Sequence, residues 1–288
     1  MSDELTPDTL QSLVLPLLDL CRQAGEAILG HYHAPGADQY RAKGDDSPLT
    51  RADLDSHAIL KAGLARLETP MPLLSEESRP SEVRDRFDWP RYWLVDPLDG
   101  TKEFLARTGE FTINIALIER NRPVLGVLFL PLRNEAYVGI PGAWARHYRQ
   151  PSGDEWICSA IGTRSLQAGR DLEVLVSRRH LGRRLDRCMR WLETHWGQVA
   201  RLNSGSALKF CSLAEGRGDL YPRFSPCSEW DTAAGHALLE AAGGALLGLD
   251  GLPLAYNRSE SLLSPHFLAV ADREHPLWRE LLEELRTG

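Results

Sequence analysis

One stretch organises this chain: Trp93-Leu94-Val95-Asp96-Pro97-Leu98-Asp99-Gly100-Thr101-Lys102-Glu103-Phe104. Residues 92–95 are rich in aromatic and branched side chains, which predicts a short buried strand. Pro97 should end the pairing of that strand and fix a turn, because proline has no N–H to donate. Asp96 and Asp99 would then leave the sheet close together, with the Leu98 carbonyl between them.

The residues after these carboxylates favour the binding of an anion. Gly100 and Thr101 offer backbone N–H groups and a hydroxyl where a helix can begin, which suits a phosphate oxygen. Hard oxygen ligands beside such an anion-binding site suit Mg²⁺. The alternative is a solvated Asp-Pro turn followed by a helix cap. The Gly-Thr-Lys sequence directly after an apolar strand favours the metal site.

Composition limits the classes of function. The chain has 288 residues, is 43% hydrophobic and 25% charged, and has a net charge of −7, as expected of a soluble globular protein. The net negative charge argues against duplex nucleic acid as a partner. A bound metal could still attract a small anionic substrate. Five scattered cysteines predict reduced thiols in a cytoplasmic protein. We expect neither a signal peptide nor a transmembrane segment.

Periodicity predicts a layered α/β architecture with two halves, residues 1–150 and 151–288. In the first half we expect helices over 10–32 and 51–68, a short strand over 71–74, and an antiparallel meander over 112–119, 124–130, 135–140 and 142–148. In the second half strands and helices alternate. The predicted strands are 173–176, 198–202, 218–222, 245–249 and 267–271, and the predicted helices are 181–196, 207–215, 232–242 and 276–285.

Other polar residues lie at strand and helix ends. Glu76 follows a strand, as Asp96 does, and either joins the same metal site or lies on a solvated edge. Asp231 is a good helix N-cap and also a candidate third carboxylate, supplied by the second half. The segment Ser204-Gly205-Ser206-Ala207-Leu208-Lys209 is either an ordinary helix start or a site that binds a sugar or a second phosphate.

Several common catalytic patterns do not occur in the sequence. It has no H-E-x-x-H, no G-x-S-x-G, no G-x-x-x-x-G-K-[ST] and no G-x-G-x-x-G. A haloacid-dehalogenase phosphatase is one alternative, because its D-x-D-G-T motif resembles residues 96–101. That motif needs two aspartates separated by one residue, whereas two residues separate Asp96 and Asp99. No nucleophilic Ser, Cys or His is placed to help, so metal-assisted hydrolysis by water is favoured.

Four segments together resemble the signatures of the inositol monophosphatase superfamily, in their order and in their separations. They are Leu49-Thr50-Arg51-Ala52-Asp53, Leu74-Ser75-Glu76-Glu77-Ser78, Asp96-Pro97-Leu98-Asp99-Gly100-Thr101 and Trp230-Asp231-Thr232-Ala233-Ala234-Gly235. The segments Gly109–Thr112, Ser206–Cys211 and Leu220–Phe224 are similar to those of the bacterial 3′(2′),5′-bisphosphate nucleotidases of this superfamily.

The resemblance implies a five-layer αβαβα sandwich and an Mg²⁺-dependent phosphatase. Its substrate would be adenosine 3′,5′-bisphosphate, converted to AMP and phosphate, with 3′-phosphoadenylyl sulfate as a second substrate. It also implies a cytoplasmic role in sulfate assimilation, sensitivity to Li⁺, a monomer or homodimer, and compatibility with peripheral association on the inner membrane. The open alternatives are inositol monophosphate or fructose 1,6-bisphosphate as substrate, and a non-catalytic metal-binding regulatory protein.

The resemblance also assigns roles to residues. Asp53 and Thr101 would activate water. The metal ligands would be Glu76, Asp96, the Leu98 carbonyl, Asp99 and Asp231. The residues that bind substrate would be Glu76, Asp99, Gly100, Thr101, Lys102, Ser204, Ser206, Lys209 and Asp231.

Overall fold

The computed structural model describes residues 5–34, 40–42, 48–67, 70–151, 153, 155–178 and 182–286. The helices are α1 (Pro7–His33), α2 (Arg51–Leu64), α3 (Thr101–Leu105), α4 (Arg183–His195), α5 (Leu208–Ala214), α6 (Glu229–Ala242) and α7 (Leu277–Arg286). None of these described helices has both the length and the apolar character needed to cross a membrane.

The strands form two large sheets and one small hairpin. In chain order they are β1 (Arg41–Ala42), β2 (Pro48–Leu49), β3 (Leu73–Ser75), β4 (Arg91–Asp99), β5 (Thr112–Glu119), β6 (Arg122–Leu130), β7 (Glu135–Ile140), β8 (Trp144–Arg149), β9 (Ile157–Ala160), β10 (Leu172–Val176), β11 (Val199–Asn203), β12 (Leu220–Arg223), β13 (Ala245–Gly248) and β14 (Phe267–Val270).

The first sheet has the order β3-β4-β5-β6-β7-β8-β9. β3 is parallel to β4, and each later strand is antiparallel to its neighbour, so the predicted meander is confirmed. The last strand, β9, was not predicted. It lies beyond the expected division at residue 150 and still pairs with β8, while the division itself stays a prediction.

The second sheet has the order β11-β10-β12-β14-β13. β10 is parallel to both β11 and β12, and β14 is antiparallel to both β12 and β13. Each predicted strand and helix of the second half is present, with ends shifted by a few residues. The alternation of strands and helices therefore predicted this half well.

Three apolar clusters stack the sheets and helices into five layers. Because side chains of β4 alternate between faces, Trp93 and Val95 pack with α1 and α2, whereas Tyr92 and Leu94 face α5, α6 and the second sheet. A third cluster joins the far face of the second sheet to α4 and α7. The predicted αβαβα sandwich is confirmed.

Helix α6 packs directly against two glycines of the first sheet. A Cβ on Gly126 or Gly139 would collide with the backbone of α6, at Ala234 and Leu238 respectively. These two glycines in β6 and β7 let the helix approach the sheet, since a side chain there would push it away. The close packing fixes the position of the first turn of α6, which carries Asp231.

Pro97 does not end β4, so that prediction is wrong. Asp96 pairs with Asn114, the register then shifts, and pairing resumes between Asp99 and Thr112. One extra residue on β4 makes this a β-bulge, which accommodates a proline without a ladder hydrogen bond. The bulge also reverses the alternation of side chains, so Asp96 and Asp99 can face the same site although they are three residues apart.

Candidate active site

Three carboxylates from two distant parts of the chain meet at the end of β4. An oxygen from each of Asp96, Asp99 and Asp231 lies within 4.8 Å of the others. The first two come from the bulged end of β4, and Asp231 comes from the first turn of α6. Asp231 is the third residue of that helix and accepts a hydrogen bond from the Ser228 N–H (2.9 Å). Ser228 is the N-cap, so the prediction of Asp231 as N-cap is wrong, although both belong to one capping box.

The cluster is electrostatically unfavourable without a cation. Burial raises the pKa of Asp96 well above its ordinary value, and the charges of Glu76, Asp99 and Asp231 raise it further. Burial also raises the pKa of Asp231, with smaller contributions from Asp99 and Glu76. Like charges taken out of water produce this shift. A divalent cation with a preference for oxygen would relieve the repulsion, so these residues fit Mg²⁺.

Glu76 and Leu98 lie at the same place as the three aspartates. Both line a cavity of about 290 Å³ that also includes Asp96, Asp99 and Asp231. The Glu76 N–H donates to the Val95 carbonyl at 3.1 Å, which fixes the end of β3 beside β4. All five predicted metal ligands are therefore brought to one cavity.

Asp53 and Thr101 are in contact beside this cluster. The Thr101 hydroxyl lies 3.3 Å from Oδ1 of Asp53 and 3.3 Å from the Leu98 carbonyl. Asp53 is buried, and its Oδ2 accepts from both the N–H and the hydroxyl of Thr50, which caps α2. These bonds fix the carboxylate, leaving Oδ1 directed toward Thr101.

Gly100 allows the turn from β4 into α3. Its φ is +91°, and a Cβ there would lie 2.8 Å from the Glu110 carbonyl, so a side chain would be strained and crowded. Gly100, Thr101 and Lys102 all line the cavity of the carboxylate cluster. The segment predicted to bind phosphate therefore lies beside the carboxylates, and its role stays a prediction.

The segment of Ser204, Ser206 and Lys209 contacts the cluster chiefly through Ser206. The Ser206 hydroxyl and the Ala207 N–H donate to Oδ2 of Asp99 at 2.6 and 2.7 Å. The Ser204 hydroxyl instead donates to the Gly205 carbonyl at 3.4 Å. Within the described residues, this segment therefore orients a carboxylate of the cluster as well as lining a cavity.

Lys209 is almost fully buried, at 2% exposure. Its ammonium donates to the carbonyls of Ser204 (3.2 Å) and Ser206 (2.7 Å) and lies over the Tyr221 ring. Burial lowers the pKa of Lys209 to about 8, and the charge of Asp99 partly opposes this. Lys209 consequently stabilises the turn that presents Ser206 to Asp99.

A second cavity, of about 110 Å³, continues from the first. The two share Asp99, Gly100, Lys102, Glu103, Arg223, Cys227 and Asp231. Arg223 was not predicted as a site residue. The available signal was a basic residue at the end of a predicted strand, within a segment already similar to the nucleotidases.

Comparisons with known proteins agree with this geometry. The model of the inositol monophosphatase family matches residues 10–286. The chain belongs to the inositol monophosphatase family. This membership confirms the predicted resemblance and leaves no place for the haloacid-dehalogenase alternative.

Within the family, the chain is similar to proteins named 3′(2′),5′-bisphosphate nucleotidase CysQ. The Salmonella typhimurium protein is 44% identical over 250 residues, which cover 86% of this chain and 95% of that protein. The Escherichia coli K12 protein is 42% identical over the same shares.

Solved structures of the family share the fold. CysQ from Bacteroides thetaiotaomicron has a TM-score of 0.78 and 38% identity, covering 92% of this chain and 98% of that one. The suhB protein of Bartonella henselae, at 22% identity, has a TM-score of 0.73 over 96% of this chain and 99% of its own.

Proposed function

We propose that this protein is an Mg²⁺-dependent 3′(2′),5′-bisphosphate nucleotidase that hydrolyses adenosine 3′,5′-bisphosphate to AMP and phosphate. The observation that carries the proposal is the meeting of Asp96, Asp99 and Asp231 beside the contact between Thr101 and Asp53. The relatives named as nucleotidases, at 42% to 44% identity, support the choice of substrate.

The metal ligands would be the carboxylates of Glu76, Asp96, Asp99 and Asp231 and the carbonyl of Leu98. When bound, the ion would supply positive charge to the phosphate and to the attacking and leaving oxygens. Ser206 and the Ala207 N–H hold Asp99 in place through the hydrogen bonds already described. Rigid placement of the ligands matters because misplaced groups lose catalytic efficiency.

Asp53 and Thr101 would act on the attacking water. Thr101 would accept a proton from the water and pass its own proton to Asp53 along the 3.3 Å contact. The water oxygen would then attack phosphorus, and the bond between phosphorus and the ribose 3′ oxygen would break. That oxygen would keep the bonding electron pair and take up a proton from solvent, which gives the 3′ hydroxyl of AMP. Gly100, Thr101 and Lys102 would contact the phosphate that is cleaved, and Ser204, Ser206 and Lys209 would lie toward the rest of the substrate.

Further properties follow from the same proposal. We expect inhibition by Li⁺, a cytoplasmic role in sulfate assimilation, and hydrolysis of 3′-phosphoadenylyl sulfate as a second activity. The quaternary state would be a monomer or a homodimer, and any membrane association would be peripheral.

A panel of substrates tests the proposal. Phosphate release with Mg²⁺ should show a far higher kcat/KM for adenosine 3′,5′-bisphosphate than for inositol 1-phosphate or fructose 1,6-bisphosphate. A polar site rejects ligands that leave its groups unpaired, so orders of magnitude are attainable. A higher kcat/KM for inositol 1-phosphate would contradict the nucleotidase assignment. Absence of phosphate release from every substrate would favour a non-catalytic metal-binding protein.

A further inference from the structure

Ser56 connects helix α2 to the bulge in β4. It is fully buried, at 0% exposure, and its hydroxyl donates to the Pro97 carbonyl at 2.8 Å. In the described sheet, Pro97 is paired with neither neighbouring strand. Pairing with β3 ends at Val95, and the register with β5 passes from Asp96 directly to Asp99. A buried carbonyl without a donor costs free energy, so the Ser56 hydroxyl completes the hydrogen bonding of the bulge.

The same peptide group is also held at its N–H. The Pro97 carbonyl and the Leu98 N–H belong to one planar unit, and this N–H donates to Oδ1 of Asp96 at 2.9 Å. A rotation of the plane would therefore break two hydrogen bonds, one to α2 and one to a predicted metal ligand. Leu98 also supplies the carbonyl that is predicted to bind the metal. The orientation of this one peptide thus constrains two of the predicted metal ligands.

Helix α2 contacts the site at two points of one face. Ser56 follows Asp53 by three residues, which places both side chains on the same side of the helix. The Thr101 hydroxyl lies 3.3 Å from Oδ1 of Asp53. Ser56 instead binds Pro97, which lies between the two aspartates at the end of β4. One helix therefore contacts both the pair predicted to activate water and the strand segment that carries predicted metal ligands.

We propose that Ser56 is a positioning residue of the metal site: its hydroxyl orients the peptide before Leu98 and thereby places the Leu98 carbonyl and the Asp96 carboxylate for Mg²⁺. This inference rests on the proposed function, since it assumes that the carboxylate cluster binds the ion. Ser56 does not line the cavity of the cluster, so it contacts neither ion nor substrate and transfers no proton. Without its hydroxyl the peptide can rotate, and the two ligands lose their mutual geometry.

Binding of Mg²⁺ to the metal-free protein tests the inference without turnover. Calorimetry with MgCl₂ should give Ser56→Ala a dissociation constant about 10-fold above that of wild type, the lower end of the effect of groups that orient metal ligands. The Mg²⁺ concentration for half-maximal hydrolysis of adenosine 3′,5′-bisphosphate should rise by the same factor. Ser56→Cys fills the same space but donates only weakly, so it should resemble Ser56→Ala.

A matched control removes an equivalent hydrogen bond elsewhere in the protein. The Thr163 hydroxyl donates to the Ala242 carbonyl at 3.2 Å, and Thr163 lines neither cavity of the site. Thr163→Val keeps the shape of the side chain but loses this bond, so its affinity for Mg²⁺ should equal that of wild type. Melting temperatures without Mg²⁺ should fall slightly for both Thr163→Val and Ser56→Ala. The control therefore shows whether a loss of stability by itself weakens the metal site.

The outcomes separate this inference from the proposed function. A wild type that binds Mg²⁺ and hydrolyses the substrate, together with a folded Ser56→Ala variant of unchanged Mg²⁺ affinity, overturns the inference alone. Wild-type affinity in Ser56→Cys with weak binding in Ser56→Ala also overturns it, because Ser56 would then only fill space. Equal weakening in Thr163→Val does the same, since the effect would then be general. A wild type that neither binds Mg²⁺ nor requires it for hydrolysis overturns both proposals.

Discussion

Two of the buried acids in this protein, Asp219 and Asp96, lie in opposite electrostatic surroundings. Asp219 directly precedes β12 of the second sheet and is 3% exposed. It accepts two hydrogen bonds from Arg164, each of 2.7 Å. Arg164 also contacts Glu173 at 2.6 Å. Asp96, at 2% exposure, lies instead beside two other carboxylates, and it belongs to none of the ion pairs formed between described residues.

The difference separates a structural site from a functional one. Around Asp219, hydrogen bonds from Arg164 to Asp219 and Glu173 raise the pKa of Arg164, so positive and negative charges compensate each other within the protein. Around Asp96, burial and neighbouring acids raise the pKa of Asp96 and Asp231. A charge left uncompensated in a folded protein costs stability. Such a cost is understandable where a ligand supplies the missing charge.

The largest expected effect is on turnover, at the uncompensated site. Asp96→Asn should lower kcat by about 10³-fold or more, because it removes a charge whose effect is concentrated in the transition state. Asp171→Asn, the same change at an exposed position directly before β10, should leave kcat unchanged. Phosphate release from adenosine 3′,5′-bisphosphate with Mg²⁺ measures both. Full wild-type activity after EDTA treatment and desalting into metal-free buffer would refute the assignment of a metal site.

A substitution at the compensated site around Asp219 should lower the free energy of unfolding. Asp219→Asn leaves the Arg164 charge partly buried without its main partner, so we expect a loss of about 3 kcal/mol and a fall in Tm of roughly 6 to 12 °C. Thermal unfolding of this variant and of Asp171→Asn, followed by circular dichroism, measures the difference. The kcat of the folded Asp219→Asn protein should stay near the wild-type value. A large loss of kcat with an unchanged Tm would break the distinction between the two places.

Part of the candidate site could be proposed from local signals. The carboxylates of Asp96 and Asp99 follow an apolar strand, so neighbouring residues indicate a metal site there. The roles of Asp53 and Thr101 were proposed only from the resemblance to the family. The apolar patterns of most strands were clear. β9 was missed because all of its residues are exposed and carry no alternating apolar pattern; pairing with β8 alone defines it.

The missed features depend on partners that are distant in the chain. The bulge at Pro97 is set by the register of β4 against β5, which no short segment encodes. The bond between Ser206 and Asp99 joins residues 107 apart in sequence. Arg223 is recognisable as a residue of the candidate site only when both cavities are known. Local sequence thus indicates where carboxylates leave the sheet, and tertiary packing decides which residues position them.

The smallest expected effect concerns the free energy of unfolding without metal. A carboxyl group with a raised folded-state pKa binds its proton more tightly in the folded state than in the unfolded state. Between the ordinary pKa and the raised one, the metal-free protein therefore loses stability as pH rises. Below the ordinary pKa both states carry the proton, so the penalty is absent.

Asp96→Asn should remove this penalty while keeping the hydrogen bond that the Leu98 N–H donates to the side chain at 2.9 Å. The new amide N–H groups can also donate to the neighbouring carboxylates. In EDTA at pH 8 the variant should therefore be more stable than wild type by about 1 kcal/mol, with the difference shrinking toward pH 4. Mg²⁺ should reverse the order, because only wild type has the full ligand set and ligand binding stabilises the folded state. Urea unfolding at both pH values, with and without Mg²⁺, gives these differences. A metal-free Asp96→Asn protein that is less stable than wild type at pH 8 would mean that Asp96, like Asp219, is compensated by the fold.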